Sequence, residues 1–291
     1  MDTKHLGIRM NLRTALELGR TSNLPTVCTN VLAAAALAQG ELDPKPLVLA
    51  ASAASALYVG GMFLNDAFDA EIDARERPQR PIPAGKVSRG AVWKWGFTLL
   101  ALGVVLAFTA RTSAGLAAVA TSCAIVLYNA RHKQSSASPV VMGLCRFGVY
   151  AIGGFAVTST PSPGLWLGAT LLMGYVLGLT YIARFENSGG VARWGPLVGL
   201  AAPFIVVLLT WSGAPLLRSI LGGYGLWVQR AISQVRTGKP ENIRAAVGGL
   251  IAGIALLDAL MLANSGATGL AMGCVGAFGV SLAAQSRIAG T

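Results

Sequence analysis

The sequence is poor in charge. Only 12% of its 291 residues are charged and 54% are hydrophobic, where a soluble globular domain carries roughly 25% charge. That deficit excludes an ordinary soluble fold and implies a membrane protein. Cysteine is scarce as well: Cys28, Cys123, Cys145 and Cys274 are single, widely spaced and set in apolar stretches. No C-x-x-C pair suggests zinc or redox chemistry, so they read as packing residues. The chain has no P-loop-type glycine loop, low-complexity tract or soluble domain. Its first residues, MDTKHLGIRMNLRTALELGR, are interrupted by Asp2 and Glu17 and lack a signal-peptide cleavage site. Residues 1–20 are expected to form a helix on the cytoplasmic membrane surface.

What is present is apolar sequence in pieces of membrane length. Stretches fall at about 24–40, 46–64, 95–110, 112–130, 138–158, 165–183, 195–217, 219–235, 245–263 and 266–286, most of them near the roughly 20 residues that cross a bilayer as helix. The expectation is an all-α, polytopic transmembrane bundle of about nine or ten spans, in one integral membrane domain over residues 1–291. Residues 264–291 would supply an extra C-terminal span. The eighth stretch is weakest, because it contains Gln229, Arg230 and three glycines. With the N-terminus cytoplasmic and ten crossings, eighteen Lys and Arg fall inside and three outside, as the positive-inside rule requires. The net charge of +11 therefore reads as topology and contact with anionic lipid bilayer, with no nucleic acid as partner. A bacterial inner membrane is the expected location. The pairs Gly174/Gly178, Gly249/Gly253 and Gly269/Gly273 have the small-xxx-small spacing that draws membrane helices together.

Against this background one stretch stands out, NDAFDAEIDARERPQRPIPAGKVSRG at residues 65–90. If the second apolar helix runs on past Leu64, Asp66, Asp69 and Asp73 stand at i, i+3 and i+7 on one face, with Asn65 beside them. Three carboxylates in a low-dielectric setting need a cation or protons. Oxygen ligands in that number suit magnesium, which usually bridges one or two carboxylates to phosphate oxygens, so a phosphorylated ligand is implied. Arg77, Arg80 and Lys86, in a turn stiffened by Pro78, Pro81 and Pro83, supply counter-charge. Two plainer readings are a helix end capped by loop arginines and a loop charged only for topology.

These residues resemble the first motif of the UbiA superfamily of intramembrane prenyltransferases, NDxxDxxxDxxxRxxRPxPxG, matched by Asn65, Asp66, Asp69, Asp73, Arg77, Arg80, Pro81, Pro83 and Gly85, with Pro78 between the two arginines. The resemblance implies a helical bundle with two acidic motifs on the cytoplasmic side of a lipid-open cavity. It implies Mg2+ held by Asp66, Asp69 and Asp73 on the diphosphate of a prenyl diphosphate donor, and transfer of the prenyl group to an aromatic or other small acceptor. Further matches are Arg20 to Asn23, like the family's N-terminal Arg/Asn element, and Tyr128 in YNARHK, where a Lys often follows. His132 takes that Lys position, so Arg131 or Lys133 would bind diphosphate. The second acidic motif departs from the family: GLTYIARFENSGG, residues 178–190, keeps only Glu186, with Tyr181, Arg184 and Asn187 beside it. This YIARxE variant is similar to a UbiA-like branch of Ebo-type biosynthetic clusters.

Glu186 is expected to join the metal ligands. Arg146, a cation inside an apolar stretch, would meet the donor diphosphate or Glu186, and Asp258 would pair with Arg230. Phe147, Tyr150 and Tyr181 are candidates to face an allylic cation. A non-transferring prenyl-lipid binder or scaffold is the alternative function, and a transporter the third class.

Overall fold

The computed structural model describes residues 10–132, 135–186, 197–214, 216–288 and 290. Among the described residues eleven α-helices follow one another: α1 (Leu12–Leu18), α2 (Leu24–Leu37), α3 (Pro44–Glu76), α4 (Arg89–Ala110), α5 (Thr112–Arg131), α6 (Ser138–Val157), α7 (Pro163–Ala183), α8 (Val198–Leu209), α9 (Leu217–Arg236), α10 (Pro240–Asn264) and α11 (Thr268–Gln285). A 3-10 turn, Thr21–Asn23, joins α1 to α2. Each of the ten apolar stretches is thus a helix, α2 to α11. Seven of them, α3 to α7, α10 and α11, are long and apolar enough to cross a membrane. The rest explain the difference between seven and ten: α2 and α8 have 14 and 12 residues, and α9 is amphipathic with its polar side exposed.

Local signals set the helix starts. Asp43 accepts a hydrogen bond from the Lys45 amide ahead of Pro44, Ser88 caps α4 through the Ala91 amide, and Ser162 caps α7 at the Gly164 amide. Each side-chain oxygen satisfies an amide with no partner in the first turn. Ser162 Oγ also donates to the Leu37 carbonyl at 2.6 Å, tying the end of α2 to the start of α7.

α3 has 33 residues, roughly 50 Å of helix at 1.5 Å per residue, against about 30 Å of hydrocarbon. Its C-terminal third therefore reaches the membrane boundary, and that third carries the aspartates. α4 packs closely along it: a Cβ on Gly60 would lie 2.8 Å from the Gly96 carbonyl, and one on Gly96 would strike Leu64. Of the glycine pairs read from spacing, Gly174 abuts Gly199 of α8 so tightly that a side chain on Gly199 would collide, and Gly249 and Gly253 lie under Trp227. Gly269 and Gly273 meet nothing within 4 Å, so they bring no helix close. α2 and α10 form the centre, α2 touching α3, α6, α7, α10 and α11. Between α3, α5, α6, α7 and α10 the bundle leaves a cavity open at one end.

Candidate active site

α3 continues unbroken through the motif, and Asp66, Asp69 and Asp73 are all buried on it. The chain then reverses in a compact turn. The Arg80 amide bonds to the Arg77 carbonyl, the Ala84 amide to Arg80, the Gly85 amide to Ile82 and the Lys86 amide to Pro81. Gly85 takes φ +71°, a left-handed conformation that glycine adopts without penalty. This reversal returns Arg80 to α3, where Nη1 lies 3.2 Å from Asp66 Oδ1. Arg89 braces the next helix against α3 through Glu71 and the Ala67 carbonyl.

A second cation reaches the same carboxylate from the N-terminal side. Arg20 has φ 44°, uncommon for a residue with a Cβ, and this turns the chain between α1 and the 3-10 segment. Its Nη2 then sits 3.2 Å from Asn65 Oδ1 and 3.4 Å from Asp66 Oδ1. Asn65 also donates to Asn129 Oδ1, and Asn129 to the Gly61 carbonyl. Asp69 Oδ2 is 3.2 Å from His132 Nε2, whose ring stacks on Tyr128 with centroids 5.0 Å apart. Burial, then neighbouring Arg20, lowers the Arg80 guanidinium from its ordinary value, opposed by Asp66.

The aspartates thus share a face without converging. Among the described residues no three acid, imidazole or thiol side chains lie close enough to hold a metal unaided. Arg20 and Arg80 stand against Asp66, and of the three aspartates only Asp69 is among the lining residues of the cavity. The physical reason is mutual repulsion, which guanidinium groups relieve.

The cavity measures about 280 Å³. Its mouth is polar, with Arg20, Asn23, Asn65, Asp69, Arg77, Arg80, Tyr128, Asn129, His132 and Glu186; its depth is largely apolar, with Leu57, Ile125, Val149, Leu179 and Ile254. Glu186, just beyond α7, is 6% exposed, and among the described residues its Oε1 has no hydrogen-bond partner. Burial pushes its carboxyl up, opposed by Arg77, Arg244, Arg20 and Arg80. A buried acceptor without a donor costs free energy. Asp69 and this Glu186, the acidic residues on the cavity wall, are oxygen donors of the kind that suits a magnesium ion sharing its ligands with a diphosphate, while Asp66 and Asp73 are not on that wall.

Several residues expected at the site lie elsewhere. Arg131 is exposed at the end of α5, because the helix turn that brings His132 to Asp69 points its neighbour outward. Lys133 and Asn187 lie outside the described residues. Arg184 is tied to the α5–α6 loop, donating to the carbonyls of Ser135 and Ser136 and to Ser138 Oγ; with Tyr128 and His132 it lines a side pocket. Tyr181 packs edge-on against Phe185, Phe147 stacks on Trp166, and Tyr150 is fully buried. Tyr58 and Tyr128 are the tyrosines on the described cavity wall. Arg146 does line the cavity, but it bonds Asn30 and Thr26 instead of Glu186. Asp258 pairs with Asn30 and Tyr150, while Arg230 is exposed on α9 over the Trp227 ring. Asn129 of α5 and His132, the residue that caps its end, join the site, and the signal for both is their place within about one turn of Tyr128.

Comparisons with known proteins bear on this geometry. The model of the UbiA prenyltransferase family matches residues 26–250. The digeranylgeranylglyceryl phosphate synthase of Methanopyrus kandleri is 34% identical over 156 residues, 54% of this chain and 57% of the relative. The matched stretch spans little more than half the length of that relative. A solved structure concerned with digeranylgeranylglyceryl phosphate synthase in membranes superimposes with a TM-score of 0.60 at 20% identity, covering 91% of this chain and 99% of its own. A UbiA homolog from Archaeoglobus fulgidus bound to GPP and Mg2+ gives 0.55 at 12%, covering 88% and 99%. At such identities the likeness is one of fold. The named relatives are archaeal, so they lend no support to a bacterial inner membrane.

Proposed function

We propose, since the chain belongs to the UbiA prenyltransferase family, that it is an integral membrane enzyme moving an isoprenoid group from a prenyl diphosphate to a small acceptor. The observation that carries this reading is the cavity: a mouth of arginines and carboxylates above a largely apolar depth. Arg20, Arg77 and Arg80 receive the diphosphate as fixed cations, and the apolar walls receive the chain and exclude water. Asp66, Asp69, Asp73 and Glu186 would hold a magnesium ion, which would supply Lewis-acid stabilisation of the departing diphosphate. The allylic carbon–oxygen bond breaks with its electron pair leaving on the diphosphate. The acceptor then forms the new bond and gives up a proton. The name of the Methanopyrus relative favours a glyceryl phosphate lipid as acceptor over an aromatic one. In this reading α2 to α11 all cross, the short α2 and α8 and the amphipathic α9 included, and the eighteen-to-three split of basic residues that ten crossings give supports a cytoplasmic N-terminus and cytoplasmic acidic helix ends.

The test is a paired assay on purified protein with labelled geranyl, farnesyl and geranylgeranyl diphosphates and magnesium, scoring binding and transfer separately. Binding with transfer supports the enzyme. Binding without transfer to any acceptor favours a prenyl-lipid scaffold, the reading prompted by the single carboxylate of the second motif. In a cysteine-free background, Ala84→Cys should label from the cytoplasmic side and Thr160→Cys from the opposite side.

A further inference from the structure

Below the mouth of the cavity lies a polar chain that prenyl diphosphate binding does not account for. Arg146 of α6, 9% exposed, forms part of the cavity wall. Its Nη1 donates to Asn30 Oδ1 at 2.9 Å, and its guanidinium sits 5.4 Å from the centre of the Tyr58 ring. Asn30 Nδ2 passes the contact on to Asp258 Oδ2 at 2.7 Å, and Tyr150 donates to Asp258 Oδ1 at 2.5 Å. Asp258 and Asn30 are fully buried, and neither is among the cavity-lining residues. A charged pair this deep is expensive. A pair serving packing alone would be expected to close in direct contact. Here Asn30 holds the two charges apart, leaving the cation on the cavity side and the carboxylate behind the wall.

The depth is informative. Arg146 contacts Thr26 and Asn30, three and seven residues beyond the mouth residue Asn23, which places its head roughly 5 to 10 Å further in at 1.5 Å per residue. A bare cation there would disfavour an allylic cation forming nearby, so its use must be to meet an anion. The arginines of the mouth are committed to the donor diphosphate. We infer that Arg146 is a second anion-binding position, which reads an oxyanion on the acceptor, and that Asn30, Asp258 and Tyr150 are positioning residues that hold it. The acceptor class is a small molecule or lipid head whose phosphate or carboxylate lies on the order of one to two helical turns from the diphosphate. This rests on the prenyl-transfer reading and extends it from the donor to the acceptor.

The experiment measures equilibrium binding and transfer for three acceptor probes, with geranylgeranyl diphosphate as donor: geranylgeranylglyceryl phosphate, its dephosphorylated alcohol, and 4-hydroxybenzoate. Wild type should prefer one of the two oxyanionic probes to the neutral alcohol, and which one tells phosphate from carboxylate. Arg146→Ala should weaken that probe about ten- to a hundredfold, the range of lost charge-assisted bonds. Its binding of magnesium pyrophosphate should stay within about twofold. Arg146→Lys should restore part of the preference, and Asp258→Asn should raise the acceptor KM more than it lowers kcat. Equal use of neutral and oxyanionic probes by wild type overturns the inference, as does an Arg146→Ala variant that keeps the preference. Should Arg146→Ala not fold, the probe preference of wild type and Arg146→Lys decides. Failure of wild type to bind the donor at all is a different result, and it removes the prenyl-transfer reading itself.

Discussion

The two acidic helix ends at the cavity mouth are built differently. At the end of α3 three aspartates are buried, Asp66 between the guanidinium groups of Arg20 and Arg80 and Asp69 beside the His132 ring. At the end of α7 one glutamate stands with Oε1 buried and, among the described residues, without a hydrogen-bond partner. The dense end is balanced from within the protein, so a cation arriving there must displace or share existing partners. The sparse end is left unsatisfied. The difference teaches that counting carboxylates misjudges where a site is ready for a ligand: the paired carboxylates of α3 must exchange partners, whereas Glu186, on which Arg77, Arg244, Arg20 and Arg80 act through space, has an oxygen to offer.

The sharpest way to break the comparison is to remove charge from the dense end. Asp66→Asn or Asp69→Asn should lower prenyl transfer on the order of a hundredfold or more, since metal stabilisation of a leaving group is worth several kcal/mol. Magnesium-dependent binding of prenyl diphosphate, followed by calorimetry, should be lost while the protein stays monodisperse in detergent. Unchanged binding in both variants would remove these residues from the site.

At the sparse end, Glu186→Gln keeps the volume and removes the charge, and transfer should fall about tenfold, the scale of one lost charged contact. Wild-type binding and turnover in this variant would reduce Glu186 to a helix-end carboxylate. Arg184→Ala should affect donor binding less than Glu186→Gln does, because Arg184 is engaged with the Ser135–Ser138 loop.

A third comparison sets packing against charge. Gly96→Ala drives a methyl into Leu64, next to the motif, and should cost about 1–3 kcal/mol as overpacking does. Gly273→Ala meets open space and should leave thermal stability unchanged. A drop in the melting temperature of both would mean that helix propensity or lipid contact, not the α3–α4 approach, controls these sites.

The smallest effect is on pH. Burial raises the Glu186 carboxyl above its ordinary value, so its neutral form is favoured by folding. The associated stability is present below the ordinary glutamate range and is lost as pH rises through the raised value. Ligand-free Glu186→Gln should show a flatter dependence of melting temperature on pH in that window. An identical slope in both proteins would show that the carboxyl is not desolvated.

Much of this was legible in the sequence because its cause is local. Apolar runs of the right length became helices α2 to α11, and the register of Asp66, Asp69 and Asp73 needed only a helix that continued, which α3 does to Glu76. The errors concern partners. Asp258 was matched with Arg230 because both are charges in apolar stretches, but Arg230 faces outward on α9 while α2 and α6 supply Asn30 and Tyr150. The resemblance puts Arg131 or Lys133 in the role of the family's lysine, whereas the helix turns His132, and not Arg131, toward Asp69. The spacing of Tyr128, Asn129 and His132 within one turn was the available signal.

The sequence by itself determined that this is a bundle of membrane-length helices with an acidic, arginine-flanked motif at one helix end. Hydrophobic length, helical period and charge asymmetry act over a few neighbouring residues and need no partner. Only the tertiary structure decided which cation meets which carboxylate: Arg20 from 46 residues away and Arg80 from 14 at Asp66, and Asn30 bridging to Asp258 across 228. Those choices follow from how helices pack, and in an interior of low dielectric the packing also sets what each charge costs and what it can bind.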